Sequence, residues 1–367
     1  MEQHIKDNPI LVFLQNALRQ ESAPKEIISQ IDWRVLLDFS VKQAILGVVY
    51  EGMKISRRQY PDIVGKGLFL SWGVVIDRQH RRFNVYRKKV QELSDMLKCA
   101  GFRTCILKGQ GLSLMYPVPE SRVSGDIDIW VEGSRKSITQ YVHSITPHTF
   151  AQYHHIDFPY FKEVMVEVHY LPSQMSSPIY NARLQRFYKN NQPEQFSHFC
   201  PELGEGVCIP TKSFNAIFLL SHMMRHFFNE GIGLRQLIDY YYLMKMGFSK
   251  EEKNDFCKTV HYLGMEKFAC AVMWIEQHVL GIEEDYLLIA PNEKAGVFLY
   301  EEISKSGNMG YYDQRYTFRK NGAWSRAMTD VYRDFALAKM FPSEALWKPL
   351  AKLVNQKWKV RNLLGMS

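Results

Sequence analysis

The chain has little cysteine: six in 367 residues, with no C-x-x-C pair. That excludes a disulfide-stapled scaffold and the common zinc frameworks, even though His198, Cys200 and Cys208 lie close in sequence. Reduced, mostly buried thiols are expected. Long apolar runs are also missing. The longest unbroken one, Phe268–Ile275, falls far short of the roughly 18–20 residues that a membrane helix needs. The opening stretch MEQHIKDNPILVFLQ carries charge where a signal peptide needs its apolar core, so a cytoplasmic location is expected. No repeat, heptad array or low-complexity tract is present. Aromatic residues make up 13%, enough to bury a real core, which argues against disorder.

What is present is a basic, ordinary-looking globular composition with a formal charge of +8. An excess of that sign favours anionic partners. It is concentrated in residues 78–89 (RQHRRFNVYRKK), with six Lys/Arg and no acid, and in a tail carrying Lys348, Lys352, Lys357, Lys359 and Arg361 beside Trp347 and Trp358. Such segments read as solvated or snorkelling helix faces, with polyanion or membrane-surface binding as the alternative.

Apolar spacing near 3.6 runs through Asp32–Met53 and again through 68–100, ending at Gly101. The texture then changes. Thr104–Leu107 is a short β-type run; Ile127, Ile129 and Val131 alternate with Asp126, Asp128 and Trp130; Val164, Val166 and Val168 alternate with Met165, Glu167 and His169. Helices are expected over Gln110–Tyr116 and Ser134–Ile145, a loop-rich stretch from Pro172 to Pro210, and helix again from an N-cap at Thr211. The fold class is α+β. A small mixed sheet over 101–175 is flanked by an N-terminal helical region, 1–100, and a C-terminal helical domain, 176–367.

Within a strand, residues i and i+2 project from the same face, so Asp126 and Asp128 lie side by side. Two adjacent carboxylates repel, and a hard cation such as Mg²⁺ removes the conflict. Glu167 occupies a comparable position on another strand. Three carboxylates suffice for two Mg²⁺ ions in phosphoryl transfer. A solvated strand edge is the alternative for an isolated D-x-D. The surroundings suit phosphate: Lys108-Gly109 follows a strand and precedes a helix, and Arg122 and Gly125 stand just before the acids.

The set Ile106-Leu107-Lys108-Gly109, Arg122, Gly125-Asp126-Ile127-Asp128-Ile129 and Val166-Glu167-Val168-His169 resembles a bacterial nucleotidyltransferase family of the DNA polymerase beta-like superfamily. The likeness extends over about 30–340, including Leu220-Ser221-His222, Arg225-His226 and Gly233–Asp239. One departure is that Lys108-Gly109 replaces the superfamily's Gly-Gly or Gly-Ser entry motif and lies further from the first acid. The resemblance implies Asp126, Asp128 and Glu167 as metal carboxylates for two Mg²⁺ ions. It also implies Glu167 as general base unless metal alone activates the acceptor. Lys108, Gly109, Arg122 and Gly125 would hold the nucleotide, with ATP the first choice. NMP would pass from an NTP to an unidentified hydroxyl-bearing acceptor (a small molecule, a protein or RNA). His169, His222, Arg225 and His226 are candidate cleft contacts, and Arg235 with Asp239, at i and i+4, is expected to form an ion pair. The rival readings are a catalytically silent nucleotide-binding regulator and a basic RNA-binding protein.

Overall fold

The computed structural model describes residues 3, 5, 7–313, 315 and 323–363, with side chains at all of these except 323–330 and 354–363. Four helices precede the sheet: Pro9–Leu18, Trp33–Lys42, Leu46–Gln59 and the long Lys66–Cys99, besides a short one at Lys25–Ser29. Asp32 caps the second of the four, accepting from the backbone N–H groups of Arg34 and Val35. The long helix stops where Gly101 takes φ +85°, and the chain turns into the sheet.

Four strands follow: β1 (Thr104–Ile106), β2 (Ile127–Val131), β3 (His155–Asp157) and β4 (Val166–His169), in spatial order β1-β2-β4-β3. β1 runs antiparallel to β2, β2 parallel to β4, and β4 antiparallel to β3, which makes the sheet mixed. The expected alternation is real, but neither face is open to solvent. Ile127, Ile129 and Val131 join Ile138, Val142 and the long helix's Val90, Leu93 and Leu97 in one core. Trp130 points the other way, stacked on Phe214 at 5.8 Å and packed on Phe196, in the core that the helical flanks share. Asp128 shares Trp130's face and is 1% exposed.

After the sheet, the expected loop-rich stretch contains an 18-residue helix, Pro178–Gln195. Its sequence carries a weak apolar stripe and two prolines, the features that hide a helix from periodicity. Local chemistry nevertheless supports it: Ser177 accepts from the N–H of Tyr180, Pro178 takes the first position, and Pro193 falls in the last turn. The helix expected over Gln110–Tyr116 is only Gln110–Ser113. Thr211 does stand at the N-cap of Lys212–Asn229, though its side chain makes no capping bond.

The basic run 78–89 lies on the outer side of the long helix, where Arg81 pairs with Asp77 and Lys89 with Glu92. In the tail, Lys348 is not a solvated charge. It is 1% exposed and paired with Asp334. The side chains of Lys357, Trp358, Lys359 and Arg361 lie outside the described residues. Among the described residues no helix is long and apolar enough to cross a membrane.

Candidate active site

β2 and β4 lie in a register that sets Asp128 directly opposite Glu167, and Trp130 opposite His169. Asp126 precedes β2 by one residue and leans over the same face. The β2–β4 register brings Asp128 and Glu167 together, and Asp126, just before β2, lines the same cavity as Asp128.

Their electrostatics differ sharply. Asp128 receives Lys108 Nζ on Oδ1 at 2.8 Å, with His169 Nε2 at 3.0 Å from the same oxygen. Burial alone would raise its carboxyl pKa, but these two cations outweigh burial and hold it well below the usual range. Its other oxygen, Oδ2, is buried with no hydrogen-bond partner. Asp126 makes no side-chain hydrogen bond or ion pair among the described residues. The charge of Asp128, then burial, pushes its carboxyl up to about 6. Glu167 is held at about 2: burial opposes ionisation, but the hydrogen bond with His169, at 3.3 Å, and nearby His155 prevail. His169 is raised in turn. Burial works against its imidazolium, and the bonds to Asp128 and Glu167 overcome it.

This donor set suits a divalent cation. One carboxylate oxygen is orphaned in the interior, and a neighbouring carboxylate, unpartnered, is forced towards its protonated form by repulsion. Hard oxygen donors are what Mg²⁺ takes.

Lys108, at the end of β1, bridges Asp128 and His222, whose Nε2 lies 3.1 Å from Nζ. Burial, then Lys108 itself, pushes His222 well below the ordinary imidazole pKa, so the neutral ring accepts. Gly109 has φ +57°, a conformation that favours glycine, and a Cβ there would stand a tight 3.3 Å from the Asp126 carbonyl oxygen. The helix after it has only four residues, so the dipole expected to assist anion binding is small. Gly125 anchors the strand entry, its carbonyl accepting from Tyr86 Oη at 2.7 Å.

Arg122 is not a free cation. Its Nε and Nη2 donate to the two carboxylate oxygens of Asp239 at 2.7 and 2.8 Å, and Tyr116 Oη donates to Oδ1 at 2.7 Å, all buried. Asp239 is thus committed to Arg122, which replaces the expected Arg235–Asp239 pair. Arg235 also lines the cavity. Among the described residues its Nη1 reaches the Val123 carbonyl, at 3.4 Å, and its buried Nε has no hydrogen-bond partner. Gly125 leaves room beside it, since a Cβ there would lie 3.6 Å from Nη1. One cavity is lined by Lys108, Gly109, Gly125, Asp126, Asp128, His222 and Arg235, with the Arg122–Asp239 pair in its wall.

His226 and Arg225 do not line this cavity, although the His226 ring packs on His222 at 4.4 Å. His226 is neutral, pushed down to about 4 by burial and Arg225, and its Nδ1 sits 2.6 Å from Glu230. Arg225 Nη2 lies against His226 Nε2 at 2.8 Å, and Arg225 lines a separate cavity with Tyr153 and Lys348. His154 and His155 emerge beside His169 without having been singled out in the sequence. β3 is three residues long and shows no period. The adjacent pair of histidines was the one available signal.

No curated protein and no solved structure matches the chain. The sequence model of one family does, over residues 29–281, more than half the chain and including every strand and the whole cavity wall. With the paired acids, the lysine at the strand end and the cavity between them in view, the chain belongs to that family, the uncharacterised nucleotidyltransferases.

Proposed function

We propose that the chain is a Mg²⁺-dependent nucleotidyltransferase, moving NMP from an NTP to a hydroxyl-bearing acceptor with release of pyrophosphate. The observation that carries this reading is the unpartnered Asp126 beside Asp128, whose Oδ2 is orphaned in the interior. Asp126, Asp128 and Glu167 would hold the divalent cation, which supplies charge neutralisation to the phosphoryl oxygens when bound.

The chain's own groups do the remaining positioning. Lys108, just after β1, and Arg235, on the Leu234–Lys245 helix, both line the cavity, so a polyphosphate bound there would meet two positive charges. Arg122, expected from the sequence to hold nucleotide, would instead support the site through Asp239. The bidentate pair ties the segment before β2 to the helix carrying Arg235. His222, neutral, holds Lys108 without competing for phosphate. Glu167, held near 2, stays ionised at neutral pH and contributes charge rather than proton transfer. ATP remains the first nucleotide to test, and the absence of a membrane-spanning helix among the described residues fits a cytoplasmic enzyme.

The test is pyrophosphate release from each of the four NTPs with and without Mg²⁺, wild type beside Asp126→Asn. Release that needs Mg²⁺ and disappears in the variant is expected. Equal release by both proteins would remove Asp126 from the chemistry.

A further inference from the structure

Beside the carboxylates, on the β3–β4 edge of the sheet, lies a second group of donors of different chemistry. His154, His155 and His169 are 2%, 4% and 1% exposed, and their ligating atoms lie within 4.8 Å of one another. His155 belongs to β3 and is paired in register with His169 of β4. His154 is fixed by its carbonyl, which accepts from the backbone N–H groups of both Tyr170 and Leu171. These imidazoles do not line the cavity assigned to the nucleotide.

As a hydrogen-bonded cluster the group does not close. His155 Nδ1 and His154 Nε2 stand 3.0 Å apart and can share only one proton. Whichever ring carries it, His154 Nδ1 and His155 Nε2 remain buried with no hydrogen-bond partner. Leaving such groups unsatisfied costs about 1–3 kcal/mol each.

A cation held by the two facing nitrogens would replace the proton they share, leaving His154 Nδ1 and His155 Nε2 as N–H groups still without partners. We infer that His154 Nε2, His155 Nδ1, His169 Nε2 and Glu167 Oε2 form a second metal centre, for a borderline divalent cation of the Zn²⁺ type. Successive donors in that set are separated by 3.0 Å (His154 to His155), 3.6 Å (His155 to Glu167) and 3.3 Å (Glu167 to His169). Ligand bonds of about 2.0–2.1 Å in a tetrahedron put the donors roughly 3.3–3.4 Å apart; the three imidazoles, whose ligating atoms all lie within 4.8 Å of one another, form the core of the shell, and Glu167 must move towards them to complete it. Of the nitrogens pointing away, that of His169 behaves as in metal-bound histidines, its Nδ1 facing the Leu171 carbonyl at 3.3 Å. Three imidazoles and one carboxylate select a cation softer than Mg²⁺, which prefers oxygen alone. The inference goes beyond the transferase reading and does not need it. The two centres touch only through His169, which also reaches Asp128 at 3.0 Å, and through Glu167.

The experiment uses the full chain stripped with chelator and titrated with ZnCl₂ by calorimetry in excess Mg²⁺, with Co²⁺ as an optical probe. One equivalent of Zn²⁺ should bind to wild type. His154→Ala and His155→Ala should each weaken it at least roughly tenfold, while Asp126→Asn leaves it unchanged. Co²⁺ in wild type should give the intense visible bands of a four-coordinate, nitrogen-rich site, and this readout stands even where a histidine variant fails to fold. No uptake in excess Mg²⁺, uptake indifferent to both histidine variants, loss in Asp126→Asn, or the faint Co²⁺ bands of a six-coordinate oxygen site would each overturn the inference. Nucleotidyl transfer by Asp126→Asn reports separately on the transferase reading, so the two can fail independently.

Discussion

Two buried charge constellations meet at one cavity, and they are built on opposite plans. Arg122, Asp239 and Tyr116 form a finished set: both carboxylate oxygens of Asp239 are engaged, and the guanidinium meets them bidentately. Asp126, Asp128 and Glu167 are an unfinished one. Like charges are crowded together, one oxygen is orphaned, and Asp126 has no partner among the described residues. Buried charges persist in a fold when they are paired; crowded and incomplete ones persist when something outside the chain completes them. The first set is closed within the fold; the second has the make-up of the cation site proposed above.

Breaking each set should therefore damage a different property. The largest effect is expected for Asp128→Asn, which should lower the turnover rate by roughly 10³-fold or more, since the lost cation contribution amounts to several kcal/mol. Steady-state pyrophosphate release measures it. Next comes Arg122→Met. It strands the Asp239 carboxylate in the interior and should cost about 3–5 kcal/mol of stability in urea unfolding. If Arg122 instead touched phosphate directly, the same variant would lose nucleotide affinity while keeping its stability.

Arg235 sharpens the contrast, because it lies between the two sets without a full complement of partners. Arg235→Ala should raise KM for the nucleotide roughly 10- to 100-fold, as expected for one charge-assisted contact, with a smaller change in kcat. The smallest effect concerns Asp126 in metal-free protein. Its carboxyl is raised to about 6 in the fold, so the folded state holds a proton that the unfolded chain has already released. Stability without divalent cation should thus fall as pH rises from about 4 through 6. Asp126→Asn should abolish that slope and gain on the order of 1–2 kcal/mol at pH 7. Urea melts at several pH values in chelator check both statements; a variant less stable than wild type at pH 7 would mean that Asp126 is satisfied within the chain.

The unfinished set was legible in the sequence and the finished one was not. Period two across Asp126–Val131 and Val164–His169 places the acids on common faces, and strand pairing converts that into contact between Asp128 and Glu167. Lys108, expected from the sequence at the phosphate, follows β1 closely enough to pair with Asp128. Arg122's partner lies 117 residues away, and no local pattern links Arg122 to Asp239 rather than to phosphate. Arg235 was masked by the opposite error: i,i+4 spacing offers Asp239 as its partner, but Asp239 is taken. His155 opens a strand too short to show a period, with His154 just before it, and Pro178–Gln195 is a helix whose apolar stripe is too weak to announce it. Pairings made across the fold are invisible to local patterns, whereas those made within a strand or turn are not.

The most direct measurement is transfer itself. Cell extract is incubated with α-³²P-labelled NTPs and Mg²⁺, with added wild-type protein or the Asp126→Asn/Asp128→Asn variant, and labelled species are resolved by electrophoresis and thin-layer chromatography. The expected result is a species labelled by wild type and unlabelled by the variant. A species labelled equally by both would contradict the assignment of these two acids to nucleotidyl transfer.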